Sequence, residues 1–133
     1  MIEVYQSEFL KLEINEQLSL MKITWKSNTS YMSESEYRTN VFAIGETYDK
    51  YKTKRILTDL VNASYAVSPK MQEWTVKNLF YKYVGNVDRS AFITSKHFFS
   101  QLSAEQILEE DKKRDFPTRF FEDEEDANYW LLS

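Results

Sequence analysis

The sequence predicts a single α/β domain spanning residues 1–133. Its four- or five-stranded mixed sheet opens with an N-terminal hairpin and is flanked by about four helices. Three observations carry this expectation. Hydrophobic spacing switches between the period of two expected of strands and the 3.6 expected of helices. Helix-start signals, Ser-x-x-Glu/Gln and Ser-Pro, fall between the period-two runs. A length of 133 residues, 42% of them hydrophobic, suits one core and leaves no room for a second domain.

The opening alternates. Leu10, Leu12 and Ile14 lie two apart, Asn15-Glu16-Gln17 forms a polar turn, and Leu18 and Leu20 resume the alternation, so a hairpin of about residues 3–14 and 18–26 is expected. Ser33 and Glu36 then form a capping box. Tyr37, Val41, Ile44, Tyr48 and Tyr51 follow at spacings of four and three, one face of a helix running to about Lys52. Arg55 to Val61 is a short run entered from a basic segment and mostly apolar on both faces, the pattern of a buried central strand.

Ser68-Pro69 opens a second helix, with Ser as N-cap and Pro at the first helical position, and Gly85-Asn86 closes it. Val76, Leu79, Phe80 and Tyr83 make one apolar stripe on it, and Met71, Trp74 and Tyr81 a second. Ala91 to Thr94 reads as the next strand. Ser103-Ala104-Glu105-Gln106 is a second capping box, expected to start a helix with Ile107 and Leu108 inward and Glu109, Glu110 and Asp111 outward, stopped by Pro117. Arg119 to Phe121 is a short strand. Asp123 caps a last helix with Ala127, Trp130 and Leu131 on one face. The order is β-β-α-β-α-β-α-β-α, which implies a sheet that is mostly parallel after the hairpin.

Composition excludes several function classes. Two isolated glycines cannot build a phosphate-binding or dinucleotide-binding loop. With no cysteine and one histidine, His97, thiolate chemistry and multi-histidine metal sites are out of reach, and no metal or cofactor is expected. A net charge of −4 disfavours nucleic acid, and the short basic stretch Lys50, Lys52, Lys54 and Arg55 reads as the solvated end of a helix. No apolar run reaches the ~20 residues of a membrane span, and the charged N-terminus is no signal peptide. A cytoplasmic protein without stable membrane insertion is the expectation.

The hairpin with its amphipathic helix, the run Ile56-Leu57-Thr58-Asp59-Leu60-Val61 leading to the Ser68-Pro69 helix, and the tail Arg119-Phe120-Phe121-Glu122-Asp123-Glu124-Glu125-Asp126-Ala127-Asn128-Tyr129-Trp130-Leu131 together resemble a STAS-like domain. The likeness is to the SpoIIAA-like branch, named for bacterial anti-sigma-factor antagonists. It implies a non-enzymatic regulatory or protein-interaction domain. It also places Ser68, nine residues after Asp59, where that branch carries a phosphorylatable serine. Val67, Pro69 and Lys70 depart from the branch's Asp-Ser-Ser-Gly turn, and the same serine reads independently as a helix cap.

Two other functions compete. Nine Phe, nine Tyr and three Trp exceed what one small core needs. Aromatics are enriched at subunit interfaces and in apolar pockets. The stripe of Met71, Trp74 and Tyr81, together with Tyr65, is therefore a candidate homodimer interface or the lining of a pocket for a small apolar or amphipathic ligand. A Ser/His hydrolase would use Ser68 or Ser95 with His97, a loop residue after a strand. No Gly-x-Ser-x-Gly elbow accompanies it.

Overall fold

A computed structural model describes all of residues 1–133. The chain forms one six-stranded sheet in sequential order, β1 (Ile2–Gln6), β2 (Leu10–Asn15), β3 (Leu20–Trp25), β4 (Arg55–Asp59), β5 (Arg89–Ile93) and β6 (Thr118–Phe121). β1 to β3 are antiparallel, and β3 to β6 are parallel. The four helices are α1 (Glu34–Tyr51), α2 (Pro69–Asn78), α3 (Phe98–Glu110) and α4 (Glu124–Leu131).

The sheet has six strands where the sequence led us to expect four or five, because the first expected strand is two. The Ser7 hydroxyl accepts from the amides of Phe9 and Leu10, both at 3.1 Å, and folds the chain back at Ser7-Glu8 without glycine or proline. The second turn matches expectation: Asn15 Oδ1 accepts from Leu18 N at 3.1 Å, and Ser19 takes a left-handed φ of 49°. Leu18, expected in a strand, lies exposed in that turn.

Helix α1 begins at the expected capping box, with Glu36 N donating to Ser33 Oγ and Ser33 N to Glu36 Oε1. Helix α2 begins at Ser68, but it ends at Asn78 and continues as a 3-10 turn over Phe80–Lys82, short of the expected end at Gly85. Helix α3 starts five residues before the expected capping box. Ser103 lies inside it, with its hydroxyl donating to Ser100 O and accepting from Val67 N. The start is fixed instead by Gln101, whose side chain reaches back to Ser95 N at 2.8 Å, and by Ser95 Oγ, which accepts from His97 N.

The sheet separates two cores. On one face, Leu10, Leu12, Ile14, Met21, Ile23 and Ile56 meet Tyr37, Val41, Ile44 and Tyr48 of α1 and Met71 of α2. On the other, Leu20, Leu57, Ala91 and Ile93 meet Ala127 and Leu131 of α4. Ile56 and Leu57 are thus buried on opposite faces of β4, as a strand covered on both faces requires. Arg55 Nε and Arg89 Nη1 donate to the Leu131 and Trp130 carbonyls, so cations hold the end of α4 where the helix dipole favours them. Helix α4 lies close on β4, β5 and β6, whereas α2 and α3 pack mainly on each other. No helix is long and apolar enough to cross a membrane.

Candidate functional site

The gap beneath α2 and α3 is a partly enclosed cavity of about 90 Å³ between those helices, α1 and one face of β3 to β6. Sequence periodicity places its wall there. Thr58, Phe92, Ser90 and Thr118 all point to the face opposite α4, because residues two apart, or in register on neighbouring strands, share a side of the sheet. Most of the lining is hydrophobic. One wall is a row of rings: Trp25 stacks on Tyr37 at 5.8 Å between centroids, and Tyr37 on Tyr65 at 5.2 Å. Phe92 and Phe120 stack at 5.1 Å at another side.

The two ends of the cavity differ. At the carboxyl ends of the strands the polar groups are paired. Tyr37 OH donates to Thr75 Oγ1 at 2.7 Å, which donates to Met71 O. Ser103 Oγ is bonded as above, Thr29 Oγ1 donates to Lys26 O at 2.7 Å and accepts from Ser64 N at 2.9 Å, and Ser95 Oγ donates to Ala63 O at 2.8 Å. Burial pushes the Tyr37 phenol well above its ordinary range, against the opposing effect of the Thr75 hydrogen bond.

At the amino edge of the parallel strands the lining includes Tyr83, Ser90, Asp111, Arg114, Phe116 and Thr118, and the pairing fails. The hydroxyls of Tyr83 and Thr118 are buried with no hydrogen-bond partner. Asp111 is 7% exposed, and its carboxylate has neither a hydrogen bond nor an ion pair. Burial pushes the Asp111 carboxyl up; Arg114 pulls it down and Asp115 adds to the rise. Arg114 does not pair with it: its Nη1 donates to Leu108 O at 3.2 Å. Burial, then the neighbouring Tyr48, pushes the Tyr83 phenol up as well.

No family model, curated protein or solved structure matches the chain. The arrangement of its own residues is therefore what bears on function.

The candidates read from the sequence fall in different places. Tyr65 lines the cavity, as the pocket alternative expected. Met71 does not share a solvent-facing stripe with Trp74 and Tyr81: it is 1% exposed and lies in the core. Trp74 is half-buried under α1, edge-on to Phe42 at 5.3 Å and tilted on Tyr37. The same chain thus covers much of the surface that suggested a second copy, and of the stripe Tyr81 stands exposed. The helix is shorter than expected, which carries Tyr81 into the 3-10 turn and off the face of Trp74.

Ser68 Oγ accepts from Met71 N at 3.3 Å, the bond of an N-cap. Ser95 and His97 do not form a nucleophile–base pair. The Ser95 hydroxyl donates to a carbonyl and accepts from the His97 main chain, and the His97 side chain lies on an exposed residue. Asp111 is the functional candidate that sequence reasoning missed. It closes the run Glu109-Glu110-Asp111, expected to face solvent as a whole. Glu109 and Glu110 do, but Asp111 turns under the end of α3. Its spacing of four from the inward Ile107 is the signal that distinguishes it from its neighbours.

Proposed function

We propose that this domain binds a small amphipathic molecule in the cavity between the sheet and the layer of α1, α2 and α3. The observation that carries the reading is the split character of that cavity. It has an apolar, ring-lined body and one end where two buried hydroxyls, Tyr83 OH and Thr118 Oγ1, lack partners and where the nearly buried Asp111 makes no side-chain hydrogen bond or ion pair. Native proteins satisfy nearly all buried polar groups, and an unpaired one costs about 1–3 kcal/mol. A ligand with an apolar body and a polar end would fill the space and supply the missing bonds. The role read here is binding without catalysis.

Trp25 reports directly on the cavity it lines, while Trp74 and Trp130 do not line it. In the Trp74→Phe, Trp130→Phe background, titration with 1-octanol should change Trp25 fluorescence saturably. A linear response, or none up to the solubility limit, would show that the space does not take such a molecule.

A second reading, a regulatory protein-interaction domain of STAS-like descent in the cytoplasm, has its own support. Phe98 and Phe99 begin α3 71% and 69% exposed, packed edge-on only to each other, on a surface a partner protein would bury. The order of an antiparallel opening followed by strand–helix units, closed by the strand and helix over 118–131, favours that descent.

A further inference from the structure

We infer that the unpaired end of the cavity selects a cationic head group, so that the ligand is an alkyl or arylalkyl amine whose ammonium pairs with Asp111. The inference rests on the binding role proposed above and narrows it. Three features of this corner point to a cation.

Asp111 is 7% exposed, lines the cavity and makes no side-chain hydrogen bond or ion pair, a position where a charge loses most of its hydration and gains from a counter-charge. Asp111 also stands at the wrong end of a helix. It is the C-cap of α3, its amide donating to Ile107 O and Leu108 O, where the dipole is negative and favours Lys, Arg or His over Asp. Finally, the other charges at this corner do not resolve the conflict. Asp115, its carboxylate accepting from Gly85 N, adds negative charge, and Arg114 spends a donor on Leu108 O instead of on Asp111. Lys112 and Lys113 point to solvent, so of the cations in this stretch only Arg114 shares the cavity lining with Asp111.

A residue that breaks two local rules at once, inside the one apolar cavity described above, is where function is expected. An ammonium placed there answers both conflicts together. The Tyr83 and Thr118 hydroxyls, each able to accept, stand among the same lining residues. The ring wall of Trp25, Tyr37 and Tyr65 belongs to the other end, where an apolar tail would lie.

Calorimetric titration of the full chain at pH 7 with n-octylamine, 1-octanol and octanoate separates this inference from the reading beneath it. Wild-type protein should bind octylamine at least about tenfold more tightly than octanol, a difference of 1.4 kcal/mol, with octanoate weakest. In Asp111→Asn, octylamine and octanol should bind with equal affinity, since the amine's advantage over the alcohol is its pairing with the carboxylate. Asn suits the end of a helix, so this variant keeps its fold. Arg114→Gln, by removing the competing cation, should favour octylamine further. Equal binding of octylamine and octanol by wild type, or an amine preference that survives in Asp111→Asn, overturns the cationic head group and leaves the cavity reading standing. If none of the three binds, both fall.

Discussion

Substituting Ala104 by leucine fills the cavity from within. Ala104 lies on the inner face of α3 against Leu60, Ala63 and Phe92, and it lines the cavity. The change adds three carbons to a helical position whose neighbours leave about 90 Å³ open. At about 0.8 kcal/mol per buried methylene, the gain has a ceiling near 2.4 kcal/mol. Side-chain entropy and imperfect fit reduce it to about 1–2 kcal/mol. In a chain of 133 residues each kcal/mol moves the melting temperature by about 4 °C, so a rise of about 4–8 °C is expected. Calorimetric melting measures it, and the same protein should lose most of its affinity for 1-octanol. In a filled core the same three carbons would overpack and cost about 1–3 kcal/mol. A fall in melting temperature with octanol binding unchanged would therefore refute the argument.

Other consequences are smaller. Ser68→Ala should cost about 0.5–2 kcal/mol, the loss of an N-cap, and a hydroxyl-directed acyl probe should leave no adduct at Ser68; a melt identical to wild type would contradict the capping role. Tyr37→Phe removes the hydrogen bond to Thr75 but leaves Thr75 bonded to Met71 O, so chemical denaturation should show a loss of about 0.5–1.5 kcal/mol and no more. Asp111→Asn should stabilise the ligand-free protein at pH 7. The folded-state pKa of Asp111 is raised above its ordinary 3.8, so its burial penalises the fold once the carboxyl ionises and vanishes where it is protonated in both states. The gain should therefore shrink as pH falls toward 3.8, and a gain that stays constant across that range would exclude the carboxyl as its source.

Most helices and strands were legible in the sequence because their signals are local. The Ser33–Glu36 box, the Ser68-Pro69 start, the Asp123 cap and the adjacent Ile56-Leu57 of β4 all act within a few residues. The departures arise where a distant residue decides. Ser103 looks like a cap from its neighbours, yet Val67, 36 residues away, donates to its hydroxyl in the interior of α3. The turn between β1 and β2 rests on one serine side chain in a stretch without Gly or Pro, so the alternation seemed to run through it. Of the four residues that the surplus of aromatics singled out, Tyr65 lines the cavity, while Met71 lies in the core, Trp74 packs under α1 and Tyr81 is exposed. The polar end of that cavity was hidden because Asp111 sits in an acidic run, and only the path of the chain after α3 separates it from the exposed Glu109 and Glu110. The expectation that sites gather at the carboxyl ends of parallel strands drew attention to Ser95 and His97. The unpaired groups lie at the opposite edge.

Amide chemical-shift mapping of the isotope-labelled protein during titration with 1-octanol tests the central claim most directly. The account predicts saturable shifts at Ile23, Thr58, Ser90, Ala104, Ile107 and Thr118, which line the cavity from both the sheet and the helices. Shifts confined to the exposed Tyr31, Phe98, Phe99 and Tyr129, with the cavity residues unmoved, would contradict it.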